Sequence, residues 1–388
     1  MTLFYTQLEA TIFIQIIYFK MSNPIKQHYI PRSYLKNFGV AGKKGKYFVD
    51  VYRYEHDHLL EQIDTKDICF QKNLYTIPAD SDDKKYVLEK YYAEQLDSEY
   101  PKVYKLLIDE AVQYVNAKQK LQILYVCLSL YFRTPRVLDM SISMNEEILN
   151  RAAQFLNEDG IVKITIGETK IEFHIDDLDD VKSEFNEKSR QEFLVSHLEY
   201  WADFVKYKFD CTINVIKINN TKTPLITSDN PVSIRHINTN KFEGLYDPNA
   251  VITLPLDRSH FLEIHPNKYA DGQTRVNRLT HDEDYVFTTN GVTATNASSL
   301  LIGNKGDIDS HFNLQEYYED PTNGPKAEAR AKFKLAQATS LMQIAETEGA
   351  GSAAVIKKLK EILSHTDTKD DEQMLGYKKA LIRKGIWK

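Results

Sequence analysis

The hydrophobic and polar pattern gives its clearest early signal over 46–54. There β-forming residues alternate (Tyr47, Phe48, Val49, Val51, Tyr52), the polar run Glu55-His56-Asp57-His58 interrupts, and apolar residues return over 59–63. That sequence of patterns predicts a β-hairpin. Upstream, residues 25–38 space Tyr34 and Phe38 four apart, and Pro31 suits a first helical turn, which predicts a helix. Residues 86–115 read as helix, acidic at the start. Over 118–137, Leu121, Leu124, Tyr125, Leu128 and Phe132 share one helical face, and 144–157 reads as a further helix. The pattern then changes. A second hairpin is predicted over 161–166 and 170–175 across Gly167, followed by a long helix over 184–208. Strands follow over 212–218, 224–227, 251–256 and 260–265, then a helix over 290–301. Strands and helices do not alternate regularly. The expected class is therefore α+β: a helical N-terminal half with a β-hairpin, then a mixed or antiparallel sheet with packed helices. There is no internal repeat and no glycine-rich phosphate loop.

Both ends differ from this core, which the pattern places at 21–310. Residues 325–388 hold helical stretches at 326–346 and 353–364, separated by Gly349-Ala350-Gly351-Ser352, then an acidic link at 367–372 and a basic end at 377–388. This segment carries 13 Lys+Arg against 8 Asp+Glu; its +5 within a total of −6 leaves −11 on residues 1–324. It reads as a basic helical C-terminal appendage that could dock a protein partner, an acidic surface or the core itself, or simply face water. At the other end, the apolar run 11–19 is too short to span a bilayer and lacks the flanks of a signal peptide. Met21 opens Ser22-Asn23-Pro24, so residues 1–20 are expected to be an upstream extension, with a short hydrophobic anchor or partner helix as the other reading.

Composition narrows the function classes. With 42% hydrophobic and 27% charged residues, the chain can bury one large core plus a small appendage. A net charge of −6 argues against whole-molecule attraction to duplex DNA or an anionic membrane. The three cysteines Cys69, Cys127 and Cys211 are far apart and lie among apolar neighbours. They suggest neither a thiolate zinc site nor a disulfide framework, and they suit a cytoplasmic protein. His56-x-His58 has no third ligand nearby in sequence, so no metal and no cofactor is expected.

Three distant segments carry candidate chemistry. Gln27-His28-Tyr29-Ile30-Pro31-Arg32 can place a proton acceptor and an anion clamp within one turn; the same residues also suit a capped helix start with a buried histidine. Arg133 and Arg136, in Tyr131-Phe132-Arg133-Thr134-Pro135-Arg136, emerge from a strongly apolar helix, and each must meet either a substrate anion or an internal carboxylate. Leu225-Ile226-Thr227-Ser228-Asp229-Asn230-Pro231 runs an apolar strand into a tight turn, where Asp229 could orient a histidine, accept a proton, pair with Arg133, or only form an Asx turn. Ser228 lacks the frame of a nucleophile elbow.

The motifs His28-Tyr29-Ile30-Pro31, Tyr34-Leu35-Lys36-Asn37-Phe38, Lys72-Asn73-Leu74-Tyr75, Arg133-Thr134-Pro135, Thr227-Ser228-Asp229-Asn230-Pro231-Val232 and Ile252-Thr253-Leu254-Pro255-Leu256 resemble domain-of-unknown-function family 4238, a bacterial family, in order and spacing over about residues 25–303. The resemblance implies that His28, Arg133, Asp229 and Asn230 belong to one site. The expected function is a metal-independent enzyme on a phosphate-bearing substrate, such as a ribonuclease-like toxin or phage-defence effector. In it His28 is the base, Asp229 its orienter, Arg133 the charge stabiliser, and Tyr29, Arg32, Arg136 and Asn230 contact a small-molecule or RNA ligand. The alternative is a ligand-sensing or protein-interaction module in which Arg133 and Asp229 form a structural pair.

Overall fold

The structure, a computed structural model, describes residues 26–388 apart from 167–168, 220–221, 240, 267–274, 320–333, 336, 340, 343–352, 365–371, 384–385 and 388. The expectations for residues 1–20, and for most of the helix at 326–346, lie outside the described residues. The fold is α+β. It opens with β1 (Lys26–His28) and α1 (Arg32–Leu35), which a 3-10 turn extends over Lys36–Phe38. Then come β2 (Val40–Ala41), β3 (Tyr47–Arg53), β4 (His58–Asp64) and β5 (Phe70–Lys72). Helices follow: α2 (Asp82–Lys85), α3 (Val87–Tyr92), a π turn (Ala93–Asp97), α4 (Tyr100–Ile108), α5 (Ala117–Phe132) and α6 (Pro135–Ala152). The hairpin β6 (Ile161–Ile166) and β7 (Thr169–His174) leads into α7 (Leu178–Lys208). The second half holds β8 (Thr212–Ile218), β9 (Thr227–Ser228), β10 (Ser233–His236), β11 (Ala250–Pro255), β12 (His260–His265), β13 (Val276–His281), α8 (Glu283–Asn296), β14 (Leu300–Gly303) and α9 (Asp307–Glu319). The tail contributes α10 (Ala353–Leu363) and α11 (Glu372–Arg383).

Two five-stranded sheets dominate. One runs β10-β11-β12-β8-β13, antiparallel except for the parallel β8–β13 pair. The other joins β2, β3 and β4 from the N-terminal half to β14 and β9 from the C-terminal half. The predicted hairpin at 46–63 is β3–β4, now paired with a strand some 250 residues later in the chain. All six residues of β11 are buried, as expected for a strand covered on both faces.

Several elements depart from the pattern. The helix expected over 25–38 begins instead as β1, which pairs with β5 in the register His28↔Phe70; only the part after Pro31 is helical. The helix expected over 86–115 is interrupted by the π turn and restarts with Pro101 in the first turn of α4. The region 290–301 is the end of α8 and the start of β14, because Asp282 caps α8 seven residues earlier than expected. In α5, Ile123, Leu124, Val126, Cys127, Leu128, Leu130 and Phe132 are buried, so the helix is enclosed nearly all round. Trp201 and Phe204 of α7 close over it, with Tyr125 stacked on Trp201 at 3.9 Å between ring centroids. Each such side chain buried contributes about 1.5–3 kcal/mol, which makes the α5–α7 pair the centre of the core.

α10 and α11 share a small core with Ala338, Leu341 and Met342, built around Leu359, Ile362, Leu363, Met374 and Leu381. Glu361 of α10 acts on Tyr52 of β3, and Lys358 acts on His311 of α9, so this module faces the core on that side. No helix among the described residues is long and apolar enough to cross a membrane.

Candidate functional site

The Arg133-Thr134-Pro135 run is a helix-to-helix corner. Arg133 ends α5, Thr134 is extended as a residue before proline must be, and Pro135 opens α6. The corner delivers the Arg133 guanidinium, 1% exposed, into the core. Nη1 donates to Asp97 Oδ1 at 2.6 Å, Nη2 donates to the backbone carbonyl of His28 at 2.6 Å, and the guanidinium lies 4.6 Å from the Tyr92 ring centroid. Burial works against the charge, but Asp97, Tyr75 and Tyr92 more than offset it and hold Arg133 firmly protonated.

Asp97 sits on the last position of the π turn. In a regular α-helix, positions 89 and 97 would point about 80° apart. The π turn is wider, and across it Arg133 and Asp97 both act on the Glu89 carboxyl. Asp97 binds the guanidinium. Glu89 does not: its Oε2 is buried without a hydrogen-bond partner. Burial, with Asp97 adding and Arg133 opposing, pushes the Glu89 carboxyl up to about 7. Because the folded-state value lies above the ordinary 4.5, protonated Glu89 contributes stability that is present below pH 4.5 and lost as pH rises through about 7. Glu89→Gln, which imitates the protonated acid, is therefore expected to match the parent near about pH 4 and to be more stable near about pH 8, by on the order of 1–2 kcal/mol after allowance for partial exposure. Urea unfolding at the two pH values measures this, and equal stabilities at both would refute the assignment.

His28 lies at the half-buried rim of this cluster. Its Nε2 bonds the Lys66 carbonyl at 3.1 Å. A carbonyl only accepts, so Nε2 carries the proton and Nδ1 the lone pair. Burial, aided by Arg32 and Arg133 and opposed by the Lys66 carbonyl and Asp97, lowers its pKa, so the ring is neutral at pH 7. Arg32 is exposed and forms no ion pair among the described residues. Arg32 and Arg133 thus both act on the His28 ring, with Asp97 opposing them.

The other sequence candidates lie elsewhere. Asp229 spends both carboxylate oxygens on the turn between α8 and β14: Oδ1 accepts from Ser298 N (2.9 Å), and Oδ2 from Ser299 N (2.9 Å) and Ser299 Oγ (2.7 Å). It is not the partner of Arg133, and the Lys66 carbonyl, not Asp229, fixes the His28 ring. Asn230 and Asn296 exchange bonds, Nδ2 of each donating to the backbone carbonyl of the other, and Arg136 donates to the Asn296 carbonyl at 2.9 Å. Tyr29 is buried with its hydroxyl against Cys69, near Asp229. The seven residues therefore divide in two: His28, Arg32 and Arg133 converge, while Asp229, Asn230 and Arg136 secure the α8–β14 turn, with Tyr29 between the groups. Nothing in the local pattern marks Glu89 or Asp97, and Asp97 reaches Arg133 from the end of the π turn.

The motifs also bond to one another. Tyr34 OH pairs with Thr227 Oγ1 (2.6 Å) and donates to the Pro255 carbonyl (2.9 Å), Asn37 donates to the Leu256 carbonyl (3.2 Å), and Tyr75 OH donates to the Arg133 carbonyl. Gln27 accepts from Tyr75 N (2.6 Å). Most of the motif set is thus a frame that sets the site's geometry.

His236, Glu243 and Asp247 bring one ligand atom each within 4.8 Å of one another. His236 Nδ1, however, accepts from the backbone N–H of Asn238 (3.2 Å) and Thr239 (3.1 Å). The ring proton is then on Nε2, and neither nitrogen has a lone pair to give a cation. In this arrangement the His236 ring holds the turn that follows β10.

A family profile described as "Protein of unknown function (DUF4238)" matches residues 26–307, and the chain belongs to that family. No curated protein and no solved structure matches it.

Proposed function

We propose that this member of the DUF4238 family is an enzyme that cleaves RNA phosphodiesters with its own acid–base groups, His28 serving as general base. The observation that carries this reading is the tautomer. The Lys66 carbonyl holds the Nε2–H, so a neutral imidazole presents its Nδ1 lone pair at a half-buried rim. Arg32 supplies a free guanidinium beside it for a phosphate oxygen. Arg133 acts one step back: by gripping the His28 carbonyl and Asp97 it positions the base and is not itself free to bind substrate. Asp229, Asn230 and Arg136 hold the neighbouring turn. Three buried free cysteines fit a reducing cytoplasm, where a toxin or phage-defence nuclease would work.

His28→Ala is expected to lower cleavage of a mixed-sequence RNA by at least about a hundredfold while leaving the fold unchanged, and parent activity is expected to persist in excess chelator. Full activity of a folded His28→Ala protein would remove the base assignment. A second reading, a ligand-sensing or protein-interaction module, is favoured by one fact: the α10–α11 unit has its own core and faces the main body through Lys358 and Glu361. Deleting 325–388 separates the two, since the nuclease keeps its activity without that unit and the module loses its partner.

A further inference from the structure

We infer that His260 accepts a phosphoryl group on Nε2, in a site that it forms with Asp257, Lys217 and Thr280. None of these residues belongs to the His28 cluster, and RNA cleavage has no part in the step. The site starts at the tight turn between β11 and β12. Asp257 Oδ1 accepts from the backbone N–H of Ser259 (2.6 Å) and of His260 (2.8 Å), an Asx turn that folds the chain back on itself. The same turn lays the His260 ring against its carboxylate, with Nδ1 2.9 Å from Oδ2 and 3.1 Å from Oδ1. Ser259 Oγ (3.0 Å) and Tyr104 OH of α4 (2.7 Å) also donate to Asp257. Burial opposes ionisation of Asp257, but His260, Ser259 and Tyr104 more than offset it and hold the carboxyl below its ordinary range. An ionised carboxylate only accepts, so His260 Nδ1 carries the proton and Nε2 the lone pair. Nε2 has no hydrogen-bond partner among the described residues, and the side chain is 15% exposed, so the lone pair is open to solvent.

The sheet register supplies the rest. His260 of β12 pairs with Lys217 of β8, and Lys217 pairs with Thr280 of β13. A lone pair, an ammonium and a hydroxyl therefore stand in one row on one face, a strand spacing of about 4.8 Å apart. The row lies at the surface: Lys217 is 43% exposed, and Thr280 is exposed with no side-chain hydrogen bond among the described residues. Lys217 is paired with Glu110, but both ends of that pair are open to water, where such a pair is worth little and yields to a dianion. Arg278, two residues before Thr280, takes no part, because its guanidinium donates to the Leu107 and Val112 carbonyls after α4. A nucleophile beside a cation and a hydroxyl donor suits a phosphoryl group, which brings several charged oxygens; an acyl group brings one neutral oxygen and would leave Lys217 unused. In the step, Nε2 attacks phosphorus, the N–P bond forms, and the bond to the leaving group breaks, its electron pair departing with that group. Nδ1 keeps its proton, and the positive charge left on the ring is met by Asp257.

The experiment incubates the full chain with phosphoramidate at about pH 8, where free imidazoles are neutral. Here the P–N bond of the probe breaks and ammonia leaves. Phosphate on each histidine is followed by peptide mapping under alkaline conditions, and the ring nitrogen is identified by phosphorus NMR. Phosphate is expected on His260 Nε2 at least about tenfold faster than on the exposed His56 and His174. Lys217→Met and Thr280→Val are each expected to slow His260 by about threefold to tenfold and to leave His56 unchanged. Asp257→Asn is expected to slow it most; should that variant fail to fold, the other two decide, since they change only surface side chains. Phosphate spread evenly over His56, His174 and His260, phosphate on His260 Nδ1, or a His260 rate that neither Lys217→Met nor Thr280→Val alters would overturn the site.

Discussion

Asp97→Ala is expected to destabilise the protein by about 3–5 kcal/mol, the range seen when one partner of a buried ion pair is removed. The two partners are unequally placed. The Arg133 side chain is 1% exposed and the Asp97 side chain 29%. Removing Asp97 leaves the guanidinium in the core without its ion-pair partner, and Glu89, on which Arg133 acts, must ionise to help, against its own burial. Removing Arg133 instead, as Arg133→Met, leaves Asp97 able to turn to water, and methionine refills much of the volume against Tyr92. Arg133→Met is therefore expected to cost less than Asp97→Ala, although it also releases the His28 carbonyl. Urea unfolding of both variants and the double variant measures the order and the coupling. An Asp97→Ala cost below about 1 kcal/mol would show that the pair is solvated and that the cluster is not the closed unit described above.

Asp229→Ala carries the second large effect. It strips acceptors from two backbone N–H groups and one hydroxyl, all within 2.9 Å of the buried carboxylate. Each donor left unsatisfied costs about 1–3 kcal/mol, so a loss of about 3 kcal/mol or more is expected. Asp229→Asn keeps one acceptor but turns an amide N–H toward the donors, and should fall between parent and alanine. The pattern distinguishes structure from catalysis. Because Asp229 secures the α8–β14 turn, its variants should lose stability well before they lose the rate constant of the molecules that remain folded. If instead Asp229→Asn kept full stability and abolished RNA cleavage, Asp229 would belong to the chemistry.

How much of this was legible in the sequence depends on the range of the interactions involved. The β3–β4 hairpin, the apolar face of α5 and the long α7 follow from spacing and local propensity, which act over a few residues; the helix expected over 118–137 instead ends at Phe132 and a new one starts at Pro135. The assignment to the family rests on ordered short motifs, and residues 26–307 match it. The role of those motifs was less visible. A conspicuous Asp beside a turn, a Tyr in an aromatic run and an Asn before a Phe look alike whether they meet a substrate or one another. In the fold, Tyr34 meets Thr227 and Pro255, and Asn37 meets Leu256.

By itself, then, the sequence determined the α+β class, the central buried helix and the fact that Arg133 had to be neutralised, because desolvation of a guanidinium is a property of the residue and its apolar neighbours. The tertiary structure alone decided which carboxylate answers it. Asp97 is 36 positions away from Arg133, and it reaches the guanidinium only because a π turn rotates it there. It decided likewise that Asp229 serves Ser298 and Ser299 and not His28, that a backbone carbonyl sets the imidazole tautomer, and that Glu89 Oε2 has no hydrogen-bond partner. Pairing between distant charges is governed by three-dimensional proximity and local dielectric, and no pattern along the chain encodes either one.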